Sequence, residues 1–302
     1  MLLNLFKKLT GWLFNRQLVL DALIGGHHKQ MQGDTKALVA SIFESYELNG
    51  ELAYAEISKF GRLDKLVKEI DAITGVGYEN IYNGLYEALS DNYKEHYAQS
   101  AYDIETTAKK KGLYSMKERT IHAMILNPID GLTLSDRLEK RRSNTVFDIK
   151  REIVRGLENG ETYHKVAKRL NNVFDNDKVK SLRVARTEMH RVSERAKLNA
   201  AMDSHNSGIF MEKIWKSGKD ERVRNTASAS HVKLDGTVVE IDKLFKQGDG
   251  QGMCPGSMNS ASHDINCRCA LAYRVNTNKT VQEKDYKKPS LKAFIKNLKG
   301  VT

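Results

Sequence analysis

The chain has 302 residues, 40% of them hydrophobic and 29% charged, with a formal net charge of +11 and a pI near 9.3. That length suits a large core or two ordinary domains, and the composition excludes a largely disordered chain. Three cysteines exclude a disulfide framework, no apolar run reaches the roughly 20 residues of a bilayer span, and the positive balance favours anionic partners.

At the N-terminus, Leu2, Leu5, Phe6, Leu9, Trp12 and Leu13 recur at helical spacing, with Lys7 and Lys8 between them. A signal peptide would carry its basic residues ahead of the apolar run. Residues 1–34 therefore read as an amphipathic arm that docks on a partner or on its own domain, without stable membrane insertion. Residues 35–174 read as a helical region. Leu52, Ile57, Phe60, Leu63, Leu66, Val67 and Ile70 form one broad apolar face, and Ile81, Leu85, Leu89, Tyr93 and Tyr97 repeat every four residues. Tyr82, Tyr86 and Tyr102 widen that stripe. Base-stacking aromatics usually sit on sheets or in grooves, so these tyrosines read as helix packing.

A Pro/Gly-marked turn, "LNPIDG", precedes Ser135, which the pattern offers as the cap of a helix carrying Val146, Ile149, Ile153 and Leu157 and ending before Gly160. Thr162 then opens a shorter helix with Tyr163, Val166, Ala167 and Leu170. Lys140, Arg141, Arg142, Lys150, Arg151 and Arg155 occupy much of the remaining surface. They read as solvated helix-face charges, with contact to DNA phosphates or an acidic protein as the functional alternative.

A further helix places Leu182, Ala185, Met189, Val192, Ala196 and Ala200 on one narrow stripe, with Gly208 just beyond it. The period then changes. "IFMEKIWKSG", "TVVEIDKLF" and "CRCALAYRV" read as extended segments separated by Gly-, Ser- and Asn-rich loops, which makes 175–276 a small α+β unit. Residues 277–302 form a basic tail whose Leu291, Phe294, Ile295 and Leu298 suit a short docking helix. The fold class expected is α+β, a predominantly helical N-terminal region followed by a small α+β module.

Two chemical readings compete with plain packing. Cys254, Cys267 and Cys269, with His231 or His263, are zinc-type donors, yet Cys-x-Cys is a weak spacing and no second pair completes it. On a strand, Cys267 and Cys269 would face one side and simply pack. Glu188, His231 and Cys267 would instead be the centre of a metal-dependent nuclease or processing enzyme, with Arg186, His190 and Asp235 nearby. Arg186 and His190, however, bring only basic groups to one helix side. Glu188 reads as a buried or half-buried bridge to an arginine or a backbone donor in the following strands, and His231 and Asp235 as a network holding the loop at the Asp235-Gly236 turn. With no serine elbow, phosphate cradle or two-metal pattern, the expectation is a non-enzyme without a cofactor.

The ordered set "RVARTEMHRVSERAKLNA", "EKIWKSGKDERVRNTASASHVKLDGTVVEIDKLF" and "INCRCALAYRV" resembles the Mu F-like, or phage head morphogenesis, module of minor head proteins of tailed phages. The positions carrying it are Arg186, Thr187 and Glu188, then Trp215, Asp220, Arg222, His231, Leu234, Asp235 and Gly236, then Pro255, Gly256, Asn266, Cys267, Arg268 and Cys269. The stretch from "ILNPIDG" onward is similar to the helical region preceding this module. The resemblance implies a low-copy minor capsid protein in the head interior near the portal protein. Assembly, DNA retention or genome delivery would be its work, with packaged double-stranded DNA and major capsid or scaffolding protein as further partners. In related chains the module is fused to toxin enzymes, and no extra catalytic domain is recognisable here.

Overall fold

Apolar stripes at four-residue spacing become long helices in the computed structural model of the protein, which describes residues 2–46, 57 and 61–298, with side chains from Leu18 onward. The apolar face of the N-terminal arm, with Leu52 and Phe60, lies outside the described side chains. Four helices dominate: α1 (Leu2–Tyr46), α2 (Arg62–Ala108), α4 (Leu134–Glu158) and α5 (Tyr163–Asn206), with the short α3 (Glu118–Leu126) between α2 and α4. The helix expected at Thr162 and the one carrying Leu182 are a single helix, α5, because "NNVFDNDKVK" contains neither Gly nor Pro to stop it. Ser135 is not the cap of α4: the helix begins one residue earlier, and Ser135 lies in its first turn.

The chain divides into two compact units. Unit 1 comprises residues 1–85 and 135–185. Its interior holds Ile24, Met31, Phe43, Ile70, Ile81, Leu85, Ile149, Ile153, Leu170 and Phe174, all at most 2% exposed. Close helix approach is bought with glycine. A Cβ on Gly77 would stand 2.3 Å from Met31 Sδ, and one on Gly84 would stand 2.7 Å from Leu23 Cδ1. A buried polar knot joins α1, α2 and α5: His28 Nε2 lies 2.9 Å from Asp177 Oδ2, and the Tyr78 hydroxyl donates to the same carboxylate. Burial, reinforced by Asp177, pushes the Tyr78 phenol far up, so it remains a donor.

Unit 2 comprises residues 86–134 and 186–302. It contains a three-stranded antiparallel sheet in the order β2 (Val238–Glu240), β1 (Met211–Lys216), β5 (Ala270–Val275), and a hairpin of β3 (Phe245–Gln247) and β4 (Gly250–Gly252). Two single-turn helices, α6 (His231–Leu234) and α7 (Ala261–Asp264), precede β2 and β5, and α8 (Leu291–Asn297) lies in the tail. Alternation along β1 sends Met211, Lys213 and Trp215 inward, where they join Leu198, Ala201, Leu234, Phe245, Cys254, Met258 and Leu271. Tyr93, Tyr97 and Tyr102 pack and hydrogen-bond as the helical spacing predicts. Tyr93 and Tyr97 stack at 6.1 Å, and Tyr102 meets Phe294 of α8 edge-on at 5.5 Å. Ser290 caps α8 by accepting from Ala293 N. The observed fold is α+β. Among the described residues no helix is long and apolar enough to cross a membrane.

The Gly-rich segment expected to be loop contains the β3–β4 hairpin. Gly248 has φ +57, and a side chain there would collide with Ser228 O at 1.8 Å. Cys267 and Cys269 precede β5 and do not lie on it.

Candidate functional site

Unit 2 gathers most of the residues that carry the family pattern, in three connected parts. The first lies on α5. Glu188, fully buried, receives Arg191 Nε at 2.9 Å and Nη2 at 2.5 Å. The same guanidinium donates to Met124 O and Ile125 O, two carbonyls at the end of α3 that have no helical partner. Glu188 thus finds its arginine one turn along its own helix, not in the strands. Thr187 Oγ1 accepts from Asn266 N at 3.2 Å, which ties the helix signature to the closing motif, and Asn266 takes φ +55. Arg186 is exposed. On the next turn Glu194 accepts from Leu271 N at 2.9 Å and from Lys197 at 2.6 Å. Burial works against its charge, but Lys197 and these hydrogen bonds keep its carboxyl below the usual range.

The second part is the central turn. Asp235 Oδ1 accepts from Ser217 N at 2.8 Å, Gly236 N donates to Trp215 O at 2.9 Å, and Trp215 N donates to Thr237 O at 3.0 Å. Gly236 has φ +79, a value glycine adopts without Cβ strain. Asp235 and Gly236 therefore hold the α6–β2 connection against β1, while His231, expected to share in that network, turns instead to His263 and the two cysteines. Outside, Arg268 grips Asp220 through both nitrogens, at 2.5 and 2.6 Å, and holds that exposed carboxyl down at about 2.

The third part is the buried centre. α6 points His231 inward, between the edge of Trp215 at 5.4 Å and the stacked ring of His263 at 5.2 Å. Cys269 Sγ lies 3.2 Å from His231 Nδ1, and Cys267 Sγ lies 3.7 Å from the same atom. On the opposite side, His231 Nε2 lies 3.2 Å from His263 Nδ1. His263 Nε2 is 3.2 Å from both Ser228 O and Asp249 Oδ1. Contact with Cys267, then His231, draws Cys269 well below an ordinary thiol, while contact with Cys269 and burial push Cys267 up.

Of the zinc-type donors marked in the sequence, only Cys267 and Cys269 converge, and they do so on His231. His263 stands one step farther out, and Cys254 lies outside the group, a packed thiol that burial pushes up. Nor is Glu188 one of the donors that meet at His231 and Cys267. Of the basic residues on α4, Arg142 is tied to Glu139 and Asp71, Arg151 to Asp148 and Glu152, and Arg155 to Glu152. Lys140 and Lys150 are exposed, and Arg141 lines a cleft of about 240 Å³ within unit 1.

Sequence reasoning passed over Arg191, Lys213, Arg224 and Asp249. Arg191 had a signal, its i+3 spacing from Glu188. Arg224, which donates to His263 O and Ile265 O, and Asp249, at the tip of the hairpin, had none, because loop contacts follow no period.

The profile of the family described as Phage Mu protein F like protein matches residues 147–272. The chain is 35% identical over 259 residues to the minor head protein GP7 of Bacillus phage SPP1, covering 85% of this chain and 81% of that one. This chain belongs to the Mu F-like minor head protein family of tailed phages. It is also 28% identical over 231 residues to a protein named NAD(+)–arginine ADP-ribosyltransferase EFV from Enterococcus faecalis, and spans 46% of that protein's length. No solved structure matches. The Mu F-like match takes in the second half of α4, all of α5, β1 to β4 and the start of β5, so it includes the Glu188, His231 and Cys267–Cys269 parts described above.

Proposed function

We propose that this Mu F-like protein is a component of the phage head that binds the portal protein from the capsid interior and assists head assembly, DNA retention or genome delivery, without catalysing a reaction. The observation that supports it is the extent of the likeness to GP7. At 259 residues it is about twice the length of the Mu F-like module, so it takes in helical segments as well as the α+β part. The helical region 35–174, with the N-terminal arm, serves as the portal-docking part in this reading, and the module over 175–276 as the part built on the family motifs.

Contact with packaged double-stranded DNA, where it occurs, uses the α4 face through Lys140, Lys150 and Arg141, the residues of that face least committed to carboxylates. Such binding is electrostatic, indifferent to sequence and steeply weakened by salt. The transferase name of the enterococcal relative belongs to a protein more than twice as long as the stretch shared here.

Co-expression with the portal protein of the same phage, followed by size-exclusion chromatography, should yield a complex containing both chains. Purified heads should contain this chain. Failure to associate with assembled portal, together with absence from the heads, would remove the proposal.

A further inference from the structure

The buried centre of unit 2 turns two sulfurs onto one ring nitrogen. A ring nitrogen has one lone pair or one hydrogen, yet two sulfurs, Cys269 at 3.2 Å and Cys267 at 3.7 Å, face the same Nδ1 of His231. The three donor atoms lie within 4.8 Å of one another, and all three residues are buried. A tetrahedral zinc with bonds of about 2.3 Å to sulfur and about 2.0–2.1 Å to nitrogen holds its sulfur and nitrogen donors about 3.6 Å apart. The observed separations bracket that value.

The surroundings agree. With His231 Nδ1 committed to a cation, Nε2 must carry the hydrogen and donate to His263 Nδ1. His263 then carries its own hydrogen on Nε2, which faces Ser228 O and Asp249 Oδ1, both at 3.2 Å. Each nitrogen receives one role, in the outer-shell pattern that orients metal-bound imidazoles. The Trp215 indole N–H, which has no partner at hydrogen-bond geometry among the described residues, faces Cys269. His190 Nε2, on α5, is buried and has no hydrogen-bond partner among the described residues, but it is not one of the donors that meet at His231 Nδ1. Two thiolates and a divalent cation also sum to zero charge, as a buried site requires.

We infer that His231, Cys267 and Cys269 bind one structural zinc ion. Binding releases the thiol protons to solvent and leaves two Zn–S bonds. The ion joins α6 to the turn before β5, two segments that no strand ladder connects directly.

Protein purified without chelator should contain about one zinc per chain by elemental mass spectrometry. Zinc K-edge absorption should show two sulfur neighbours, and cobalt substitution should give intense thiolate-to-metal bands. H231A and the double variant C267S/C269S should lose at least nine-tenths of the metal, whereas C254S should keep it. Folded wild-type protein that carries no zinc and retains no added zinc or cobalt after desalting would overturn the assignment, even if every variant failed to fold. So would a Cys267–Cys269 disulfide in the native protein, or zinc retained in full by H231A. If H263A empties the site while H231A keeps its metal with two-sulfur coordination, the geometry assigned to His231 Nδ1 is wrong.

Discussion

The two units are stabilised by different means. Unit 1 is an assembly of long helices whose buried residues recur at i, i+3 and i+4, and its tight places are glycines facing the ends of flexible side chains: Gly77 against Met31 and Gly84 against Leu23. Unit 2 uses short strands and single-turn helices, and its two tightest glycines face backbone. A Cβ on Gly252 would stand 1.8 Å from Ser257 O, and one on Gly248 equally close to Ser228 O. Its interior is also richer in charge, with Glu188, Arg191, Glu194 and Lys213 all at most 2% exposed. A helix satisfies its own backbone, so unit 1 needs little more than apolar complementarity. Loops do not, and in unit 2 buried side chains such as Arg191 and Arg224 complete the hydrogen bonding of carbonyls that no ladder reaches.

The sharpest way to break this contrast is at Arg191. R191A removes the guanidinium from a buried carboxylate and from two helix-end carbonyls together, and should cost about 3–5 kcal/mol in denaturant unfolding. E188L/R191M, which removes both charges, should recover a large part of that loss. A double variant as unstable as R191A would show that the carbonyl contacts outweigh the ion pair. Next come two glycines. G252A should lose about 1–3 kcal/mol because a carbonyl cannot move aside cheaply. G77A should stay within about 1 kcal/mol of wild type, since Met31 can change rotamer and alanine favours the helix. Equal losses at the two sites would contradict the distinction drawn between the units.

The smallest effect concerns Lys213, whose ammonium donates to Met253 O at 2.9 Å beneath Phe245 and which burial pulls down to about 8. Below pH 8 the lysine is charged in both folded and unfolded states, and the folded state bears the full burial cost. Between about 8 and its unfolded value of 10.5, only the folded protein sheds the proton, so this contribution to stability rises with pH. K213M should therefore be more stable than wild type near neutrality, by on the order of 1 kcal/mol. The gap should narrow as pH passes from 8 to 10.5, read as the difference between the two proteins' unfolding midpoints. A gap that does not change with pH would place the cost of Lys213 in packing instead of charge.

How much could be read in advance also follows the division. The stripe from Ile81 to Tyr97 and the one from Leu182 to Ala200 are buried as their spacing requires. The inward face of β1 follows from strand alternation. Continuity did not follow: α5 runs through a point where a change of element was expected, since polar residues such as Asn176 and Asp177 weaken an apolar pattern without ending a helix. The motif residues were identifiable as an ordered set, but their roles were not. Cys267 and Cys269 were expected on a strand, and they sit before it, turned on His231 from a segment 36 residues away.

What the sequence by itself determined is the α+β class, the helical faces and the family, because periodicity and ordered short motifs are local properties of a chain. Only the tertiary structure decided that Glu188 is answered by Arg191, that His231 and not His263 or Cys254 meets the two cysteines, and that Asp249 closes the histidine relay. These are meetings of single atoms carried in by loops and single-turn helices. Their distances depend on where the backbone turns, at Gly236, Gly248 and Asn266, and no repeating pattern records them.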